Sequence, residues 1–207
     1  MRAKPSFTRE KELMKAFDFV FGMDEVGRGS LAGPLVAGAV CFDKKFPWFK
    51  KINDSKLLKA KDREYLSGLI KKNSKYYIET VDVDYINKKG IGKANSLIFK
   101  RLAGKISKDF KDKKIYFLID GRRKKLGFKN TDFIINGDGK HVSISAASII
   151  AKVDRDLKMS KYSNEFKEYG FSKNKGYGTL SHRTVIKKLG RTSIHRTSFF
   201  IKGIDTK

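Results

Sequence analysis

Apolar residues in this chain fall in short runs that stop at an acid or a glycine. Residues 19–23 are an apolar run ending on Asp24-Glu25, with the turn Gly27-Arg28-Gly29 behind it. Residues 35–42 are a second run, rich in Val, Ala and Gly. The two predict a hairpin with a glycine-rich connection. A third strand is expected over 76–83. Residues 90–107 carry Ala94, Leu97, Ile98 and Leu102 at helical spacing. Residues 115–119 form a continuous apolar run that stops at Asp120-Gly121, the pattern of a buried strand with a carboxylate at its end. Residues 133–135 repeat the idea before Gly137-Asp138-Gly139. Helices are expected over 7–16, over 143–159, and from an N-cap at Ser181 to about Leu189-Gly190. Strands first, then alternating strand and helix, then helices and loops, predict an α/β fold with a mixed central sheet and a small, mainly helical C-terminal extension. The division is a core over 1–160, with 1–18 as a helical lead-in, and an extension over 161–207.

Charge changes the picture more than length does. The 207 residues hold 47 Lys plus Arg against 22 Asp plus Glu, a formal net charge of +25. Hydrophobic residues make up 40 %, enough for a packed core, so charge-driven disorder is excluded. The expected partner is a polyanion. The apolar stretch 31–42 is too short and glycine-rich for a membrane span, which needs ~20 residues. The charged first residues lack the apolar centre of a signal peptide. Cys41 stands alone, so no disulfide forms within the chain and no cysteine-rich zinc site exists. A cytoplasmic setting and a monomer without a membrane partner are the expectation.

In so basic a chain the acids should be scattered. Instead Asp24, Glu25, Asp120 and Asp138 follow apolar runs, beside or near glycine. One such Asp is usually a turn former or helix cap, but the coincidence recurs three times. Ligand sites of open α/β sheets lie beyond the carboxyl ends of strands, so the three strand ends would gather four carboxylates. Carboxylates that close repel one another. Oxygen donors without Cys or His suit Mg²⁺ or Mn²⁺, and two such ions ~3.5–4 Å apart serve phosphodiester hydrolysis.

Residues 22–34, Gly-Met-Asp-Glu-Val-Gly-Arg-Gly-Ser-Leu-Ala-Gly-Pro, resemble the N-terminal signature of ribonuclease HII, the type 2 ribonucleases H. Further motifs follow in that family's order: Asp54-Ser55-Lys56, Ile119-Asp120-Gly121, Gly137-Asp138-Gly139-Lys140, the stretch 145–153, Gly176-Tyr177-Gly178-Thr179 with His182, and Ile194-His195-Arg196-Thr197-Ser198-Phe199. The resemblance implies an RNase H-like fold. It implies an endonuclease that cuts RNA strands of RNA/DNA hybrids and incises 5′ of a single ribonucleotide in duplex DNA, leaving 3′-hydroxyl and 5′-phosphate ends. It implies that Asp24, Glu25, Asp120 and Asp138 bind the metals, and that the backbone of Gly27, Arg28 and Gly29 meets the ribose 2′-OH. It further implies that Tyr177 stacks on the next deoxyribose and Lys56 holds a phosphate. Ribonuclease HIII is set apart by its different middle residue in the Gly-Arg-Gly turn. The chain departs from the pattern at Ser30, Arg122, Gly139, His141, Gly178, Arg191 and Ser193. Loss of prolines among these is expected to free the C-terminal loops.

A non-catalytic hybrid-binding protein on the same scaffold is the competing reading. Against it, an anion binder gains nothing from four carboxylates facing phosphate. A type 1 ribonuclease H fails on motif order. Arg122, Arg123, Lys124, Lys125 and Lys129 form a basic run beside Asp120, equally a solvated face or a phosphate contact. Residues 160–207 hold 11 basic and 3 acidic residues, favouring a nucleic-acid clamp. His141, His182 and His195 lack metal-ligand spacing and are expected to be structural. Asp154 and Asp156 are expected as surface or salt-bridging acids, with support of the metal site from outside as the alternative, Cys41 as a small core residue, and Phe46, Trp48 and the Phe199-Phe200 pair in packing. No docking motif for a protein partner is evident.

Overall fold

The computed structural model describes residues 4–122 and 126–205. Arg123, Lys124 and Lys125 of the basic run lie outside the described residues, while Arg122 and Lys129 are exposed. Five strands form one mixed sheet: β1 (Phe19–Val26), β2 (Leu35–Cys41), β3 (Lys75–Val81), β4 (Ile115–Asp120) and β5 (Thr131–Ile134), in the order β3-β2-β1-β4-β5. β1, β2 and β3 pair antiparallel, and β4 and β5 join β1's side in parallel. The expected hairpin is β1–β2, closed through residues 27–34.

Alternation along β1 divides two cores. Phe21 and Met23 face the core built with helix α4 (Ile91–Asp109), against Ile98, Phe99 and Leu102. Val20 and Gly22 face helix α5 (Val142–Glu165). This second helix lies against the sheet at backbone contact. A Cβ at Gly22 would overlap the backbone of Ser143 and Ile144, and one at Gly38 would stand 2.6 Å from the Ala147 carbonyl. Asp24 pairs with Gly38 across the hairpin, so these glycines lie on the face that carries Asp24. Helix α1 (Thr8–Leu13) supplies a distant cap to α5: buried Glu10 accepts from the Ser143 amide at 2.9 Å and from its hydroxyl at 2.7 Å.

Several boundaries differ from expectation for identifiable reasons. The first helix is shorter than 7–16. β3 ends at Val81 because the Asp82 carboxylate accepts from the Tyr85 amide and starts helix α3 (Val83–Lys89). The last helix, α6 (Leu180–Leu189), is capped by Thr179, whose hydroxyl accepts from the His182 amide at 3.3 Å; Ser181 lies inside it. Helix α2 (Ala60–Asn73) was not foreseen, since only Leu66, Ser67 and Ile70 of its lysine-rich sequence are buried. β5 stops at Ile134, and Asp138 sits in a 3₁₀ turn, Gly137–Gly139, rather than at a strand end. Among the described residues no helix is long and apolar enough to cross a membrane.

Phe46 stacks on Trp48 at 5.5 Å in the aromatic cluster below α5. Cys41 is buried. Asp154 pairs with Lys158, and Asp156 with Lys152 and Arg63. Phe199 packs on the core, whereas Phe200 is exposed, because only the first ring of the pair faces the sheet. Arg191, at one position expected to loosen the closing loop, ties it instead: its guanidinium donates to the carbonyls of Arg196 and Phe199 and to Asp205.

Candidate active site

β1 and β4 run parallel with Met23 opposite Ile119, so Asp24 and Asp120 leave the sheet side by side at its carboxyl end. Successive side chains point to opposite faces, and Asp24 and Glu25 divide accordingly. Asp24 turns toward α5, where Ser148 hydrogen-bonds it, and its Oδ1 accepts from the Glu25 amide at 2.8 Å. Glu25 turns toward α4, where Asn95 Nδ2 donates to its Oε1 at 2.7 Å; Arg28 Nη1 stands 3.9 Å from the same oxygen. Asp120 Oδ1 accepts from the Gly137 amide at 2.6 Å, which draws the turn bearing Asp138 under the end of β4. Asp138 Oδ2 lies 3.3 Å from Lys56 Nζ.

The four acids therefore share one electrostatic neighbourhood. Burial pushes the Asp24 carboxyl well above its usual range, and Glu25, Asp120 and Asp138 push the same way against the Ser148 bond. Asp120 is raised chiefly by burial, then by Asp138 and Glu25, while the Gly137 amide and Lys56 oppose the shift. Lys56 loses some basicity to burial, but Asp138, Asp54 and Asp24 outweigh this and hold its ammonium above the usual value. The Asp54-Ser55-Lys56 element also reaches Asp24 indirectly, since Ser55 Oγ is 2.9 Å from Ser148 Oγ. Among the described residues no three of the acids are closed to a ready-made metal cage. Asp24 and Asp120 are instead held by backbone amides, Glu25 by the Asn95 side-chain amide and Asp138 by an ammonium. The donor set is all carboxylate oxygen, and buried like charges are what a divalent cation would relieve, so the residues fit such ions.

The Gly-Arg-Gly turn stands on two buried guanidiniums. Gly27 has φ +93°, and any Cβ there would strike the Arg155 side chain. Arg155 donates to the carbonyls of Pro34 (2.9 Å), Ala32 (3.0 Å) and Lys175 (2.9 Å). Arg196 donates to Gly33 at 2.8 and 3.0 Å and to Arg28 at 3.0 Å. Burial lowers the pKa of both. The exposed Tyr177 ring lies 5.4 Å from the Arg155 guanidinium and 5.8 Å from Lys152 Nζ, so Arg155 stands between this ring and the turn. At Gly29 an added Cβ would meet nothing of the chain within 4 Å.

Arg155, Arg196, Asn95 and Ser148 were not anticipated as site residues. Arg155 had a legible signal: positions 144, 148, 151, 155 and 159 recur at helical spacing, and all are buried. The arginine occupies a core-facing position. Asn95 had none, as its role depends on α4 crossing beside Glu25. A cleft of about 880 Å³ at the other end of the sheet, lined by residues such as Phe19, Cys41 and Lys75, contains none of the acids.

Comparison with known proteins identifies the family and the fold. Residues 21–202 match the family model described as Ribonuclease HII. A Ribonuclease HII of Clostridium tetani is 43% identical over 211 residues, covering 92% of this chain and 75% of that protein. RNase HII of Archaeoglobus fulgidus, solved in complex with PCNA, superposes with a TM-score of 0.73 at 24% identity, over 89% of this chain and 96% of that one. Bst-RNase HIII, solved in complex with Mn²⁺, gives a TM-score of 0.67 at 20% identity, over 87% of this chain and 67% of the other. The last two likenesses bear on the fold, which is RNase H-like. The family match and the C. tetani relative bear on the chemistry: this chain belongs to the ribonuclease HII family, type 2 ribonucleases H that hydrolyse RNA in RNA/DNA hybrids.

Proposed function

We propose that this chain also incises duplex DNA on the 5′ side of a single embedded ribonucleotide, with Asp24, Glu25, Asp120 and Asp138 as its metal-binding acids. The observation that carries this reading is the placement of those carboxylates: Asp24 and Glu25 near the end of β1, Asp120 at the end of β4, and Asp138 in the turn that the Gly137 amide ties to Asp120, next to the Gly27–Gly29 turn. Two divalent ions, Mg²⁺ or Mn²⁺, would supply the Lewis acidity that activates a water and stabilises the departing 3′ oxygen. The chain's own residues do the rest. Asn95 and the Gly137 amide each donate a hydrogen bond that orients Glu25 and Asp120. Lys56, whose ammonium already neutralises Asp138, is exposed enough to take a substrate phosphate as well. Open space at Gly29 leaves room for the backbone to approach a ribose, and a 2′-OH bonded there separates RNA from DNA. The exposed Tyr177 ring offers a platform for the following deoxyribose. The basic residues of 161–207 make that stretch a substrate-binding extension around an acidic centre. The test is Asp120→Asn on a duplex with one ribonucleotide, in Mg²⁺ and in Mn²⁺. Cleavage is expected to fall by more than about a hundredfold, beyond what outer-shell changes cost. Undiminished cleavage would refute the assignment.

A further inference from the structure

Beneath Tyr177 lie two histidines that the reaction scheme above does not use. His182 and His195 are 0% and 1% exposed, and their Nε2 atoms are 3.1 Å apart. Each outer nitrogen has a partner of fixed sense. His182 Nδ1 is 2.9 Å from the Tyr177 carbonyl, which only accepts, so this nitrogen carries hydrogen. His195 Nδ1 receives the Thr192 amide at 2.8 Å, an N–H that only donates, so this nitrogen is bare. The Thr192 hydroxyl lies 2.9 Å from it. A hydrogen bond between the rings then has one solution: His195 Nε2–H donates to His182 Nε2, and both rings are neutral. One more proton would set two N–H groups face to face. The surroundings favour neutrality, for the rings pack on Tyr169 and Phe171, and the charged group acting on His195 is Arg191, a cation.

The pair connects two parts of the substrate surface. On one side it holds the carbonyl of Tyr177. On the other, residues 194–196 pair with the segment that leaves the Gly-Arg-Gly turn: Gly33 N–H donates to the Ile194 carbonyl and Arg196 N–H to the Leu31 carbonyl, each at 2.8 Å. Arg196 continues to the Arg28 carbonyl inside the turn. We propose that His182 and His195 are positioning residues, a neutral imidazole pair of fixed tautomers that sets the Tyr177 ring relative to the Gly27–Gly29 turn and thereby favours a single embedded ribonucleotide over a continuous hybrid. This rests on the reading of Tyr177 as the sensor of the sugar after the ribonucleotide.

The test joins a spectrum to a selectivity ratio. Long-range ¹H–¹⁵N spectra of the full chain at pH 7.5 are expected to show His182 as the Nδ1–H tautomer and His195 as the Nε2–H tautomer. Opposite tautomers, or a charged ring, would overturn the pair. In steady-state cleavage, His195→Ala is expected to raise KM for a single-ribonucleotide duplex about tenfold, with kcat and the all-hybrid KM within about threefold, as a misplaced binding group would. His195→Gln places an amide N–H near the lost Nε2–H and is expected to restore most of the ratio. An unchanged ratio in a folded His195→Ala enzyme, or a His195→Gln enzyme as impaired as alanine, would overturn the proposal. Should the alanine variant not fold, the tautomers and the glutamine variant decide. Tyr177→Ala separates the two failures. If it leaves the ratio intact, the reading of Tyr177 is wrong. If it lowers the ratio while His195→Ala does not, only the pair's role is wrong.

Discussion

Asp24 is placed at a cost to folding. It is buried, faces three other acids, and is held by one serine hydroxyl and one amide. Asp24→Asn keeps an acceptor for the Glu25 amide and removes the repulsion. The metal-free variant is expected to be more stable by ~1 kcal/mol, about 2–4 °C in melting temperature for a chain of this size. It is also expected to lose most of the stabilisation that Mg²⁺ or Mn²⁺ gives the parent. Thermal melts with and without metal check this, and a variant less stable than its parent without metal would contradict it. Arg155 is the opposite case, a buried charge with three hydrogen bonds to backbone carbonyls. Arg155→Lys cannot reproduce that fork, so unfolding in urea should show a loss of about 2–4 kcal/mol; a loss below 1 kcal/mol would mean the fork is dispensable. The four acids stood out in the sequence because they follow three apolar runs closely, beside or near glycine. The supports were less so: Ser148 and Asn95 acquire meaning only when α5 and α4 cross the end of β1.

At the scale of elements, the approach of α5 to the sheet depends on Gly22 and Gly38. Gly22→Ala would force a methyl into helix backbone that cannot yield, so a destabilisation of about 3 kcal/mol is expected from urea unfolding. The closing elements are sensitive to acid. Burial, with His182 and Arg191, brings the His195 pKa down to about 4, from an ordinary value of 6.5. Above pH 6.5 both folded and unfolded chains are neutral there and the effect vanishes. As pH falls from 6.5 toward 4, the unfolded chain gains a proton that the folded one excludes. Stability drops over that window, by about 3 kcal/mol in full. Urea midpoints at pH 7 and pH 5 should therefore differ less in His195→Gln than in the parent, and equal differences would contradict the assignment. Strands β1, β2 and β4 and helices α4 and α5 were readable from period and run length. Helix α2 was not, because its buried face is three residues wide in a field of lysine, and β3 was read two residues long because Asp82 serves as a cap rather than a strand residue.

The whole molecule carries a net charge of +25, although its candidate site is made of acids. Nucleic-acid binding should weaken on the order of a hundredfold or more between 50 and 200 mM salt, with each neutralised phosphate adding about 0.9 to the log–log slope. Fluorescence anisotropy with non-cleavable hybrid and with DNA of equal length should give similar slopes, since phosphate contacts do not read sugars. The discrimination must come from the turn and the acids. The RNase H-like architecture was legible as ordered motifs, whereas the brace formed by Arg155, Arg196 and the histidine pair was not, because it joins residues 28–34, 155, 177, 182 and 192–196 only in space. The central claim is that four carboxylates from three separate stretches of the chain act together on divalent metal beside a turn that senses a 2′-OH. Its most direct measurement is cleavage of three duplexes of one sequence, with a single ribonucleotide, with an all-RNA strand and with DNA only, each with and without added Mg²⁺ or Mn²⁺. The expected result is metal-dependent cutting of the first two, on the 5′ side of the lone ribonucleotide in the first, and none of the third. Cutting without metal, or of the all-DNA duplex, would contradict it.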